Sequence, residues 1–443
     1  MFKYLPHTQA DIDAMLKAIG VDSIEALYED IPGELRDFEL DVPSAHSELE
    51  LTHHFKQLAG MNKPLKPFIG AGAYDHYTPS IINHLISRQE FLTAYTPYQP
   101  EVSQGTLQYI FEYQSMITQL TGMDVSNASM YDGATATAEA MLMARAIRKK
   151  KQRMLVSRTL NHNIASVLET YAEPQDITIE YIPQTNGHTD VEALSRMLGD
   201  DVAAIITQTP NLYGVIENYE GLKEKLEETK TLFIINQDPS TLSHLKTPRE
   251  WGADISVGEA QSLGIPLSYG GPYIGYMATL TKHMRKMPGR ICGVTEDVDG
   301  KRAYVLTLQA REQHIRRNKA NSNICSNQSL MALFVTIYLA TMGKQGLHEV
   351  QQTSFNHAHY LHDMLVKLPA FETAFKQPFF KEFTLKTTID TELMHHKLQK
   401  AGLLGPLDHG RINKDWAGYV TFAVTEKRSK EEMDALIRIL GEL

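Results

Sequence analysis

The chain has 443 residues, a formal net charge of −10, and 42% hydrophobic and 22% charged residues. This is the composition of a globular protein with a large core, and its mildly acidic balance argues against nucleic acid or an acidic membrane surface as a partner. Two cysteines, Cys292 and Cys325, cannot form a disulfide framework and point to a reducing compartment. The first residues, Met1 to Thr8, lack the apolar stretch of an export leader. The longest apolar run, Leu330 to Met342, is too short to cross a bilayer and reads as a buried helix. The expectation is a cytoplasmic protein.

The N-terminal region reads as helices. Thr8 can N-cap the first, with Asp11 completing a capping box and Gly20 ending it. A second short helix is expected from Ser23 to Asp30, stopping at Ile31-Pro32, and a third from Glu48 to Leu58, leading to Gly60. Residues 1–60 are therefore an arm without strands, expected to pack on a partner subunit. The loop from Phe68 to Pro79 is dense in glycine and aromatics, as either a tight connection or a close backbone approach requires. Further on stands Tyr95-Thr-Pro-Tyr98-Gln-Pro-Glu101-Val-Ser103-Gln104-Gly105. Its prolines lower the entropy of the loop, so its tyrosines can be held in fixed places. It is read as the wall of a site rather than a surface loop, leading into a helix over 105–120 capped by Ser103.

After Gly122 comes Asn127 to Ala136, then an alanine- and methionine-rich helix to Lys149. The N–H groups and dipole at Gly133–Thr135 make an anion site suited to a phosphate. Such a start serves any helix, and its weight comes from its place in the chain, well ahead of the strand that delivers Asp238. From Arg153 to Ile235 strands and helices alternate: strands at 154–156, 177–182 and 203–207, helices at 164–170, 191–198 and 221–228. Apolar strands in this alternation mean a parallel sheet covered on both faces. Ligands sit past the carboxyl ends of such strands, where Thr209-Pro-Asn211, Asp238 and Gln261 should converge.

The run Thr231-Leu-Phe-Ile-Ile-Asn236 delivers Asp238 at its end, and a turn-rich connection leads to a second strand, Ala253–Val257. A glycine turn, Gly270-Gly271-Pro272, closes the segment. In a pyridoxal-phosphate enzyme of aminotransferase type, the acid holds the pyridinium nitrogen and a lysine just past the second strand forms the Schiff base. No lysine stands there: the tip reads Gly258-Glu259-Ala260-Gln261-Ser262. Lys246 comes too early and Lys282 lies beyond the glycine turn and another apolar run. The fold is read as a cofactor-binding one that has lost its covalent anchor.

Between 285 and 327, Asp299-Gly300 signals a hairpin. The cluster Arg311, His314, Arg316, Arg317 and Lys319 lacks the aromatic interleaving of a nucleic-acid site and reads as internal ion pairs or an anionic partner surface. No zinc spacing surrounds His314. Both cysteines sit in apolar company and should be inert. A helix beginning near Asn327 opens a smaller lobe with strands at 381–388 and 418–424, a helix at 391–401, and a closing helix capped by Ser429 with Glu432 in capping-box position.

Six motifs carry a resemblance: Tyr95 to Gly105, Tyr131-Asp-Gly-Ala-Thr-Ala136, Tyr269-Gly-Gly-Pro-Tyr-Ile-Gly275, Met287-Pro-Gly-Arg290, Asp299-Gly-Lys-Arg302 and Leu308 to Arg317. With Tyr4 to Thr8 and Val424 to Arg428 at its two ends, the chain resembles glycine decarboxylase, the P-protein of the glycine cleavage system, in the alpha subunit of its split bacterial form. The resemblance implies an α/β, fold-type I pyridoxal-phosphate-dependent transferase architecture with a mostly parallel central sheet. Its expected divisions are an arm over 1–60, a large domain over 61–326 and a small α/β domain over 327–443. It implies a heterotetramer of two alpha and two beta chains, in which the beta subunit carries the Schiff-base lysine and the pyridoxal phosphate. Counted back from Pro272, that lysine position falls on Gln261. The implied reaction is decarboxylation of glycine with transfer of the aminomethyl group to the lipoyl arm of H-protein.

Within that reading Tyr95, Tyr98 and Glu101 line the substrate channel near the subunit interface. Ser103 and Gln104 fix the loop, with Arg311 and His314 on the same interface. Gly133, Thr135, Asp238 and Gln261 form a vestigial cofactor pocket. The chain is expected to be inactive alone. The other reading is a purely structural or regulatory subunit with no residue in the chemistry.

Overall fold

The longest buried apolar runs of the sequence become the middle strands of a seven-stranded sheet in a computed structural model that describes residues 4, 6–36, 41–320 and 322–443. The leader reading at Met1–Thr8 and the motif Tyr4–Thr8 lie partly outside the described residues, as does Asn321 of the 285–327 stretch. The strands are β1 (Val125–Ser126), β2 (Arg153–Ser157), β3 (Thr178–Ile182), β4 (Val202–Gln208), β5 (Leu232–Asn236), β6 (Ile255–Glu259) and β7 (Gly275–Thr279). Their order is β1-β7-β6-β5-β4-β2-β3. Strands β2 to β6 pair in parallel, and β7 runs antiparallel to both β6 and β1.

Alternation along these strands feeds two faces. Met154, Val156, Ile206, Ile234 and Val257 face the helix Gly133–Ile147, whose Ala136, Ala140, Met143 and Ala144 pack against them. Leu155, Ile205, Phe233 and Ile235 face the other way, onto Leu194, Leu222 and Leu226. Both faces are covered, so nothing in β5 reaches solvent and its sequence has no polar alternation.

The chain divides into two units, Met1–Lys63 and Pro64–Leu443. In the first, α1 (Gln9–Ile19) carries the Thr8/Asp11 capping box and ends at Gly20 in the left-handed region, φ 87°. A second capping box, Ser47 with Glu50, starts α2 (Glu48–Gly60). The helix expected over 23–30 is only a 3-10 turn, Glu25–Tyr28, because Ile31-Pro32 follows before a stable helical length is reached. Among the described residues neither α1 nor α2 buries a side chain.

In the second unit, α3 (Gln104–Thr121) and α4 (Gly133–Ile147) precede the sheet's parallel strands. Beyond β7, a hairpin pairs β8 (Ile291–Glu296) with β9 (Arg302–Thr307) around Gly300, φ 74°. The apolar run Leu330–Met342 lies in α5 (Ser329–Leu365), burying Met331, Phe334, Val335 and Tyr338. Gly343, φ 61° and ψ −174°, interrupts the helix where that run ends. By length and composition this is one helix that could cross a membrane, but its apolar side chains pack against Tyr113, Ile117, Leu263 and Tyr276. The last part is a four-stranded antiparallel sheet, β10 (Phe371–Thr373), β11 (Glu382–Thr387), β12 (Leu407–Asp408) and β13 (Tyr419–Ala423), in the order β10-β11-β13-β12. The Ser429/Glu432 capping box starts the closing helix Lys430–Gly441.

Candidate functional site

The carboxyl ends of β5 and β6 open on a cavity of about 440 Å³, lined by Tyr74, Gly133, Asp238 and Glu259 among others. One end of it is the start of α4. Asp132 caps that helix through its side chain, accepting from the Thr135 N–H at 2.8 Å, and its backbone carbonyl takes the Ala136 N–H at 2.9 Å. Glu259, the last residue of β6, sets its carboxyl group on another first-turn group, with Gly133 N–H to Oε2 2.9 Å. Its other oxygen accepts from the backbone N–H of Gln261 and of Ile274, each at 3.0 Å. Gly133 is needed for this approach, since a Cβ there would come within 2.6 Å of the Glu259 nitrogen. Burial pushes the Glu259 carboxyl up to about 8, against the backbone donors that hold it down.

At the other end stands Asp238, just past β5. Its Oδ2 lies 2.6 Å from the Lys381 ammonium, and its Oδ1 accepts from the Ser240 N–H and hydroxyl and from the Ser262 hydroxyl. Burial raises this carboxyl, but Lys381 and these donors more than reverse it and hold it below the usual range. Lys381 itself is buried, between Ser240 Oγ at 3.1 Å, His76 Nε2 at 3.0 Å and the face of Tyr74, 3.9 Å from the ring centre. His76 continues the network to Glu426, at 2.6 Å, and the Tyr74 hydroxyl donates to Glu382 at 2.7 Å. Gln261, fully buried, spans the Tyr74 backbone: it accepts from the Tyr74 N–H and donates to the Tyr74 carbonyl, both at 2.8 Å, and donates to the Ile265 carbonyl at 2.6 Å.

A profile of the glycine cleavage system P-protein family matches residues 2–440. The chain belongs to that family. It is 49% identical over 435 residues to a probable glycine dehydrogenase (decarboxylating) subunit 1 of Moorella thermoacetica, covering 98% of each chain. It is 48% identical to the protein so described from Desulforamulus reducens, covering 100% of each. Among solved structures it is similar to a glycine decarboxylase (P-protein) of the glycine cleavage system in inhibitor-bound form, with TM-score 0.91, 40% identity and full coverage of both chains. A sphingosine-1-phosphate lyase of Burkholderia pseudomallei, 14% identical, shares the fold with TM-score 0.67 over 93% of this chain and 94% of its own. The expected fold-type I, aminotransferase-like architecture is thus the architecture found.

Pyridoxal phosphate, the cofactor of that fold type, does not fit this P-protein chain. Its phosphate needs free N–H groups in the first turn of α4, and Glu259 and Asp132 accept from Gly133 and Thr135. The acid expected to hold its ring nitrogen, Asp238, is already paired with Lys381. At Gln261, the position expected for the Schiff-base lysine, a buried amide offers no amine to the cofactor's aldehyde. An internal carboxyl group and an internal ammonium thus engage the polar groups at the two ends of the cavity.

The loop read as a site wall lies apart from that cavity. Tyr95 is 79% and Tyr98 51% exposed, and Glu101 is exposed. The Tyr95 hydroxyl meets Ser326 Oγ at 3.2 Å. The Tyr98 ring packs edge-on to His314, centroids 5.7 Å apart, with the Arg290 guanidinium 5.6 Å from its centre. Gln104 ties the loop down. Its amide donates to the Pro100 and Tyr304 carbonyls at 2.7 and 2.9 Å and accepts from the Tyr304 N–H at 2.9 Å. Ser103 occupies the N-cap position of α3, but its side chain makes no cap bond. Arg311 donates to the carbonyls of Met287 and Gly289, and His314 lies 3.7 Å from Glu312. Cys292 is buried, its thiol pushed up to about 12, whereas Cys325 is exposed rather than in the apolar company expected of it.

Sequence reasoning missed Glu259, Lys381 and Tyr74. Glu259 had a signal, an acid at a strand tip just before the lysine position. Lys381 immediately precedes β11 and carries no local mark of its partner.

Proposed function

We propose that this chain is the subunit of a two-component glycine decarboxylase that does not hold the cofactor. One observation carries the reading. Gln261, which we read as standing at the Schiff-base position, is buried and held by three hydrogen bonds, while Glu259 and Lys381 engage the polar groups at the two ends of the cavity. Pyridoxal phosphate and its lysine then belong to the partner beta subunit, in an assembly of two alpha and two beta chains. The assembly decarboxylates glycine and passes the aminomethyl group to the lipoyl arm of H-protein.

In this reading Tyr95, Tyr98 and Glu101 form one wall of the partner's substrate channel, an amphipathic surface of two rings and a carboxylate. Gln104 holds the wall against β9, and Ser103, Arg311 and His314 flank it. Residues 1–60 form an arm whose apolar side chains, Ile12, Met15, Leu16 and Ile19 on α1, recur at helical spacing and are covered by the partner. Residues 61–326 form the large domain and 327–443 the lobe beside it. The compartment is the cytoplasm.

The test starts with the purified chain, treated with pyridoxal phosphate and reduced with borohydride. Mass spectrometry should find no stoichiometric lysine label, and glycine decarboxylation should appear only when the beta subunit and H-protein are added. A clean label on Lys246 or Lys282 would overturn the reading. Truncation of Tyr98 and Glu101 to alanine should lower turnover with the assembly intact; lost assembly with unchanged turnover per complex would assign the loop a structural role alone.

A further inference from the structure

A second cleft, of about 900 Å³, opens beside α4. Five cationic side chains line it: Arg145 and Lys149 from α4 and the residues just after it, Lys286 from the 3-10 turn Thr281–Lys286, and Arg316 and Lys319 from the segment after β9. Glu139 is the one acidic residue among the described lining residues, and burial pushes its carboxyl up to about 7. None of the five cations is in an ion pair among the described residues. Arg145 reaches only the Gln175 amide, at 3.4 Å, and Arg316 the Ala310 carbonyl, at 3.0 Å. In a chain of net charge −10, cations drawn from three separate segments and left without counter-charges concentrate positive potential in one concavity.

We propose that this cleft binds a small molecule carrying two or more phosphate charges. Lysine and arginine supply the charge-assisted hydrogen bonds that phosphate oxygens take. The hydroxyl of Ser322 and the amides of Asn318 and Asn323 add neutral donors on the same lining. The rings of Tyr131 and Tyr171 offer apolar faces for the organic part. The size falls within the range of small-molecule sites, and the concave shape favours such a ligand over the face of a folded protein. Tyr131 also lines the cavity at Asp238 and Glu259, so occupancy here reaches the wall of the degenerate pocket.

Inorganic pyrophosphate is the probe. The full-length chain, alone and assembled with the beta subunit, is titrated calorimetrically at low and at physiological ionic strength. One saturable site is expected in both forms, weaker at the higher salt. Lys286→Gln and Lys319→Gln should each weaken it about tenfold, the size of one charge-assisted hydrogen bond, while Lys376→Gln, a lysine outside the cleft, should leave it unchanged. Non-saturating binding, or binding indifferent to the cleft variants, would reduce the cleft to a diffuse ion atmosphere and overturn the proposal. Binding that vanishes on assembly would overturn it too, assigning the cations to an acidic face of the partner.

Discussion

Lys381 and Asp238 meet at 2.6 Å, an ammonium on the carboxylate just past the end of β5. Both groups are largely withdrawn from water, with side chains 3% and 12% exposed. Removing one partner strands a buried charge, which costs about 3 kcal/mol or more. Lys381→Met is therefore expected to lower unfolding stability by about that amount, and Lys381→Met with Asp238→Asn to recover part of it. Urea unfolding of the two singles and the double measures the coupling. An additive cycle would mean the pair is not coupled.

Glu259 sets a pH dependence of definite sign. Its folded-state value of about 8 lies above the ordinary 4.5. A raised carboxyl contributes stability that is whole below pH 4.5 and is lost as the pH climbs toward 8, because the folded state holds the proton more tightly. Glu259→Gln removes the titration. Between about pH 5 and pH 8 the wild type should lose on the order of a few kcal/mol more than the variant. Thermal unfolding of both proteins across that range reads the difference, and parallel curves would refute the shift.

Restoring the missing lysine should not restore the site. Gln261→Lys supplies the amine but leaves Glu259 on α4 and Lys381 on Asp238. It also strips the Tyr74 N–H of its acceptor. The expected result is a less stable protein that gains no imine absorbance with pyridoxal phosphate and no label after borohydride. A stoichiometric label at position 261 would show that the two internal groups give way.

Gln104→Ala cuts three hydrogen bonds, two that tie the 95–104 loop to Tyr304 and one inside the loop, to the Pro100 carbonyl. The cost is about 1–3 kcal/mol, with a deprotection of loop amides that hydrogen exchange detects. Turnover in the assembled enzyme should fall without loss of assembly. Ser103→Ala, whose side chain makes no cap bond, serves as the nearly neutral comparison.

Gly133→Ala probes the close approach of α4 to β6. The added methyl group would meet the backbone nitrogen of Glu259 at 2.6 Å, where neither strand nor helix can yield cheaply. A loss of about 2 kcal/mol or more is expected; an unchanged denaturation midpoint would mean that the helix start is not packed this tightly.

The chain alone determined what depends on near neighbours. Buried runs such as Leu232–Asn236 announced the parallel strands, and Thr8/Asp11 and Ser429/Glu432 announced two helix starts, while the absence of lysine at Gly258–Ser262 is a fact of the sequence itself. Each of these is a matter of local hydrogen bonding, side-chain period or the identity of one residue. The tertiary structure alone decided what fills the site in the cofactor's place. Lys381 reaches Asp238 only because the segment leading into β11 docks beside β5, and Glu259 reaches Gly133 only because β6 ends against the start of α4. The same holds for Gln104, whose grip on Tyr304 follows from the folding of a hairpin far along the chain. Buried ionisable groups are stabilised by whichever opposite group or backbone donor the packing brings within about 3 Å, and no local pattern in either partner records that meeting.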